Sequence, residues 1–323
     1  MNQGRFTCVR AAVLAILAAS SLLSAASGVS AGERVKVALV ESRHLKAYDA
    51  AKVGFVQEMG MRGLDVEMVS YTLESKSSSP VDLSQFVSET GADMVLALGT
   101  DAARAARDAN LHAPSVFSMV SEPGQSGLLN LDGQGTPMTG VSLDVPIREQ
   151  FGSLLEVVPA AKRIGVIYNP GESQFIVDEA ESIANLMGLG LVTVAVYSEA
   201  EVANALSTLR PKIDALWLVS DRIVLTTQSL QYVFLFAFQT NLPLMGLSDH
   251  FVKMGALVAV GPDYEDIGRQ SAELAAQVLA GRNAAEVPVA SPRKVLLSLN
   301  LRTAEIIGLR IPENVVKQAS SIY

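Results

Sequence analysis

Cysteine, histidine and aromatic residues are all scarce in this sequence of 323 residues: one Cys, three His, one Trp and 6% aromatics in total. Each scarcity removes a class of function. Cys8 stands before the first apolar run, where it serves neither as a lipid attachment site after removal of a leader nor as half of a disulfide. Disulfide staples and thiol catalysis are therefore excluded. His44, His112 and His250 are scattered, without the paired spacing that a zinc site favours. No strand-to-helix Gly-x-Ser-x-Gly elbow, no phosphate loop of the Gly-x-x-x-x-Gly-Lys kind and no strand-associated Gly-x-Gly-x-x-Gly is present. An enzyme, a metal site and a bound cofactor are thus not expected. Positive charge is also short, with 25 Lys and Arg against 33 Asp and Glu and a formal charge of −8. An acidic surface argues against nucleic acid or anionic lipid as a partner.

What is present begins with a leader. Arg5 and Arg10 precede an apolar run from Ala11 to Leu23, and small residues follow to Val29-Ser30-Ala31. This is the layout of a secretory signal peptide over residues 1–31, cleaved after Ala31. Its 13-residue apolar core is shorter than the roughly 20 residues that cross a bilayer. Cleavage takes away two arginines and no acids, leaving a cysteine-free chain of formal charge −10 that is not a lipoprotein. A second apolar stretch, Ile223 to Leu247, is interrupted by Thr226, Thr227, Gln228, Ser229, Gln231 and Gln239. It reads as a buried amphipathic helix followed by a strand.

The mature chain repeats one plan. "VKVALVES", "AYDAAKVGFVQEMGMRG" and "LDVEMVSYT" give strand, helix and strand; "RIGVIYNP", "QFIVDEAESIANLMGLG" and "LVTVAVYS" give them again. In each copy a helix, a buried strand ("ADMVLALGT", "DALWLVSD"), another helix and a proline-opened strand ("APSVFSMVSEP", "LPLMGLSD") follow. The alternation predicts an α/β protein of two doubly wound parallel-sheet lobes. "PMTGVSLDVP" and "GALVAVGPDY" are suited to crossing between lobes, so the helix Tyr264 to Leu279 returns to the first. The expected division is residues 32–142 plus 262–288 for the first lobe, and 143–261 plus 289–323 for the second. Ligands of such sheets sit beyond the carboxyl ends of the strands, here in one cleft.

Four stretches, "TGVSLD", "VPAAKRIGVIYNPGES", "GALVAVGPDYEDIGRQSAELAAQVLAG" and "SLNLRTAEIIGLRIP", carry a more specific likeness. In their order and spacing they resemble the ABC-transporter substrate-binding protein family of type I periplasmic-binding fold, which includes tryptophan- and tyrosine-binding members. The resemblance runs from Val35 to the C-terminus. It implies a periplasmic, monomeric receptor that closes around a small molecule, an amino acid or a relative of one, and delivers it to an ABC permease. The same closed form presented to a membrane signalling receptor is the alternative. Two departures bear on the ligand: Glu122-Pro123 stands where relatives usually have Asp-Pro, and Glu41-Ser42-Arg43-His44 is more charged than the family's loop.

Strand ends supply the candidate ligand residues. In the first lobe they are Ser42, Gly99, Thr100, Ser121 and Glu122; in the second, Asn169, Ser173, Asp221 and Ser248, with Asp263 in a crossing. Three have a plainer role beside the functional one. Thr100 is placed to cap a helix, Asp221 to cap a helix at Ile223, and Asp263 to cap the helix at Tyr264. For an amino acid, helix N-termini at Thr100 and Ser173 would receive the carboxylate, and Asp221 or Glu122 the ammonium. Tyr48, Phe117 and Tyr168 are the aromatic candidates near strand ends, whereas Trp217 reads as core.

Overall fold

In the computed structural model, which describes residues 34–73, 80–129 and 136–323, strands and helices alternate from the start. The expected leader, residues 1–31 with Cys8, lies outside the described residues. The first half runs β1 (Arg34–Glu41), α1 (Lys46–Met61), β2 (Asp65–Thr72), α2 (Pro80–Thr90), β3 (Met94–Leu98), α3 (Thr100–Asp108), β4 (Ser115–Val120) and β5 (Met138–Ser142). The second begins with α4 (Ile147–Val157), then β6 (Arg163–Tyr168), α5 (Pro170–Leu186), β7 (Gly190–Ala195), α6 (Val202–Leu209), β8 (Ala215–Trp217), α7 (Thr227–Gln239), β9 (Leu244–Gly246), α8 (Asp249–Met254) and β10 (Val258–Pro262). The chain closes with α9 (Tyr264–Leu279), β11 (Val295–Leu299), α10 (Leu301–Ile306), α11 (Glu313–Gln318) and β12 (Ser321–Ile322).

Sheet order repeats as the sequence does. The first sheet is β2-β1-β3-β4-β5, all parallel, and β7-β6-β8-β9-β10 repeats that order in the second. Strands covered on both faces are continuously apolar, as in β3, buried at all five positions, while the outer strands β2 and β7 stay partly exposed. The second sheet departs from a purely parallel plan: β11 pairs antiparallel with β10, and β12 lies beside β11. The reason is geometric, because β10 leads out to the first lobe and β11 returns from it alongside. Four apolar clusters form the core, two around each sheet, and among the described residues none spans both.

Three segments cross between the lobes. Residues 143–146 follow β5, Asp263 links β10 to α9, and residues 291–294 lead back to β11. After the second crossing α9 packs against α1 and beneath β4 and β5 of the first sheet. Glycine makes this possible: a Cβ on Gly54 of α1 would lie 1.9 Å from the Glu265 carbonyl oxygen, and one on Gly268 of α9 the same distance from that of Ala51. The two helices therefore touch backbone to backbone. The third crossing is clamped to α9, since Arg293 donates to both oxygens of Asp266 at 3.0 and 3.1 Å. Gln270 donates to the Ser291 carbonyl and accepts from the Arg293 N–H.

The apolar stretch after Ile223 becomes α7 and then β9, and no helix of the described residues is long and apolar enough to cross a membrane. The expectation of a buried helix holds for one side only. Tyr232, Leu235 and Phe238 lie on the exposed side of α7.

Candidate functional site

A cleft of about 680 Å³ opens between the lobes, floored by the crossings. From the first lobe it takes Ser121 and Glu122 beyond β4; from the crossings, Asp144, Pro146 and Ser291. The second lobe contributes Phe175, Ile176 and Glu179 on α5, Trp217 and Ser220 at β8, and Ser248 beyond β9. A second concavity of about 440 Å³ beside α10 and α11 is built from one lobe alone.

The end of β4 has unusual backbone geometry. Met119 and Glu122 both have positive φ, +57° and +49°, and the pairing of β4 with β5 shifts register between Ser118 and Val120. Side chains other than glycine rarely adopt this conformation, and such bulges re-aim residues beside binding sites. Asp144 holds the distortion by accepting the Glu122 N–H at 2.7 Å. Burial pushes the Glu122 carboxyl above the usual carboxylate range, and the Asp144 charge adds to this. Burial likewise raises Asp144, the Glu122 N–H pulls it back, and the Glu179 charge raises it again.

Opposite this, α5 presents Phe175, Ile176 and Glu179 from its cleft-facing side. Trp217 is 2% exposed and stands edge-on to Phe151 with ring centres 5.1 Å apart. Its indole N–H donates to Gln150 Oε1 at 2.8 Å, and Gln150 in turn donates to the Val145 carbonyl beside the first crossing. Polar donors in the cleft are the hydroxyls of Ser121, Ser142, Ser220, Ser248, Tyr264 and Ser291 and the amides of Gln125 and Gln150.

Of the residues expected at strand ends, Ser121, Glu122 and Ser248 line this cleft and the others do not. Thr100 does not cap α3: Gly99 is the N-cap, and the oxygen comes from Ser42, whose Oγ accepts the Ala102 N–H at 2.9 Å. Gly99, at φ +88°, is covered by the Tyr48 hydroxyl and by Ser42, leaving no room for a Cβ. Asn169 caps α5 through the Gly171 N–H and donates to the Val196 carbonyl. Ser173 lies within α5 rather than at its start, completely buried, and donates to Asp221 Oδ2 at 2.6 Å. Asp221, 2% exposed, also accepts the N–H groups of Asn169, Ile223 and Val224. It organises a turn ahead of α7, whose own cap is Thr226, so both its oxygens are occupied within the protein. Asp263 caps α9 and pairs with Lys294 at 2.6 Å. Tyr48, Phe117 and Tyr168 are buried in the lobes' cores, whereas Trp217, read as core, is both core and cleft wall. Asp144, Gln150, Phe175 and Glu179 were not anticipated. Asp144 sits in the quoted "TGVSLDVP" and was within reach; Glu179, in the middle of a helix, carries no sequence signal.

Three comparisons with known proteins bear on this architecture. The family described as ABC transporter substrate binding protein matches residues 36–323. A tyrosine-binding protein of Clostridioides difficile (strain R20291) is 28% identical over 270 residues, covering 81% of this chain and 77% of that protein. Among solved structures, a ligand-free, open substrate-binding protein with adhesive properties from Clostridium difficile is 27% identical with a TM-score of 0.72, covering 89% of this chain and 98% of its own. A domain from Streptococcus pneumonia in complex with L-Trp is 25% identical with a TM-score of 0.57, at 89% and 100% coverage. The family and these relatives are substrate-binding proteins and not enzymes. With two lobes of matching sheet order, a cleft between them and a family match over nearly all the described residues, the chain belongs to the ABC transporter substrate-binding protein family.

Proposed function

We propose that this protein captures a small amine-bearing molecule, an amino acid or a close relative of one, in the interlobe cleft outside the cytoplasm and delivers it to an ABC permease. The observation that carries this reading is the cleft itself, about 680 Å³ with polar groups from both lobes and from the crossings between them. That volume lies within the range of about 300–1,000 Å³ typical of small-ligand sites. The tyrosine and tryptophan named for the relatives support the amino-acid class. Carboxylates at Glu122 and Asp144 suit an ammonium, and Trp217 with Phe175 suits an apolar side chain.

Capture works by a shift between open and closed lobes. Bonds to both lobes at once form only in the closed form, so a ligand stabilises that form by its differential affinity. The greater likeness to the open, ligand-free relative than to the L-Trp complex, at nearly equal identity and coverage, supports an open arrangement here. The closed form is then what a permease recognises.

A melting-temperature screen of the purified protein over amino acids, their decarboxylated amines, small carboxylates and nucleosides tests capture. One ligand class is expected to raise the melting temperature, by an amount that grows with ligand concentration. No shift anywhere in the panel would overturn capture. Co-purification with a sensor kinase and with no permease would overturn delivery.

A further inference from the structure

The charge in the cleft is all of one sign. Glu122 beyond β4, Asp144 in the first crossing and Glu179 on α5 line it, and among the described residues no Lys, Arg or His does. Several acids elsewhere have partners, Glu41 with Lys52, Asp214 with Arg163, Asp263 with Lys294 and Asp266 with Arg293. The cleft acids have none. Apart from the Glu122 N–H on Asp144, no donor among the described residues reaches their carboxylates. Unpaired like charges in a concave site focus a negative potential into it and lose solvation if the site closes empty.

A metal ion does not resolve this, because among the described residues no three such groups stand close enough to hold one. The carboxylates are spread instead along the cleft, one on each lobe and one on the crossing between them. An organic cation placed among them meets the first lobe at Glu122, the second at Glu179 and the hinge at Asp144 in a single act. A zwitterion brings its own carboxylate into the same space, where only hydroxyls, amides and backbone N–H groups await it. Deepening the reading above, on which it rests, we infer that the cleft selects ligands of net positive charge, such as an amine, a diamine or a basic amino acid, over net-neutral zwitterions of similar shape. The apolar wall of Phe175, Ile176, Trp217 and Val219 takes the hydrocarbon part of such a ligand. Glu179 is thereby a specificity residue, and it couples charge recognition to lobe closure.

Titration calorimetry on the purified protein tests this with matched pairs, tyrosine against tyramine and norleucine against lysine, beside the panel described above. The cation of at least one pair is expected to bind at least about tenfold more tightly than its neutral counterpart. Glu179 is exposed and makes no bond that folding needs, so Glu179→Gln is expected to bring that ratio close to one without lowering the unliganded melting temperature. If every compound that binds is net neutral or anionic, the charge inference fails while solute capture stands. A cation preference untouched by Glu179→Gln and by Glu122→Gln overturns the assignment to these carboxylates. If nothing binds, solute capture itself fails, and the charge inference with it.

Discussion

Asp214 fixes the entry to β6 with both of its oxygens. Oδ2 accepts the N–H groups of Lys162 and Arg163 at 3.0 and 2.9 Å, and Oδ1 accepts from the Arg163 guanidinium at 2.9 Å. Held chiefly by the Arg163 side chain, its carboxyl falls from 3.8 to about 2. A folded-state value below the unfolded one contributes stability that is present above about pH 4 and lost as pH falls towards 2. Water reaches both partners, with Asp214 29% and Arg163 51% exposed, so screening reduces the contribution. Asp214→Asn is therefore expected to cost about 1 kcal/mol at pH 7. Urea unfolding should show that full gap at pH 7, about a third of it at pH 2.5, and its loss only as pH falls through about 2. Asp221 provides the contrast at the same scale: its sequence setting suits a ligand ammonium equally well, but four internal donors occupy it. An acid at a strand end states the type of bond it makes, and only the surrounding loop decides with whom.

Among the elements, the crossing of α1 and α9 admits the least change. Gly54 and Gly268 sit where any side chain would strike a carbonyl oxygen of the opposite helix. Alanine at either position has to push two backbones apart, and the expected cost is about 1–3 kcal/mol or more, read as a lower midpoint in urea unfolding. A midpoint equal to that of the unsubstituted protein would mean that the helices do not touch as described. The strands and helices themselves were legible, because continuous apolar runs broken by Gly, Pro or Asn fix element type, and the internal repeat implies one sheet order twice. The antiparallel β11 was not, since its direction follows from a return path and not from its own residues. Cleft membership was legible at Ser121, Glu122 and Ser248, where strand ends face the opening. It was hidden for Phe175 and Glu179, because which side of α5 meets the cleft depends on how one whole lobe is set against the other. Trp217 was hidden too, being buried from one side and lining the cleft with the other.

At the scale of the whole molecule, the closure proposed above would turn on the crossings. Arg293 and Gln270 bind residues 291–294 to α9, so in that motion the segment would travel with the first lobe, leaving residues 143–146, Pro262–Asp263 and the start of β11 to bend. Small-angle scattering is expected to show a smaller radius of gyration with saturating ligand than without it. An unchanged radius would place capture in a rigid cleft. Trp217 adds a practical property to this architecture. It is the chain's single indole, it stands at the cleft wall, and its N–H is tied to a glutamine beside the first crossing. All tryptophan fluorescence from this protein therefore originates at the wall of the proposed ligand cleft, so the unmodified chain would carry its own optical reporter of occupancy.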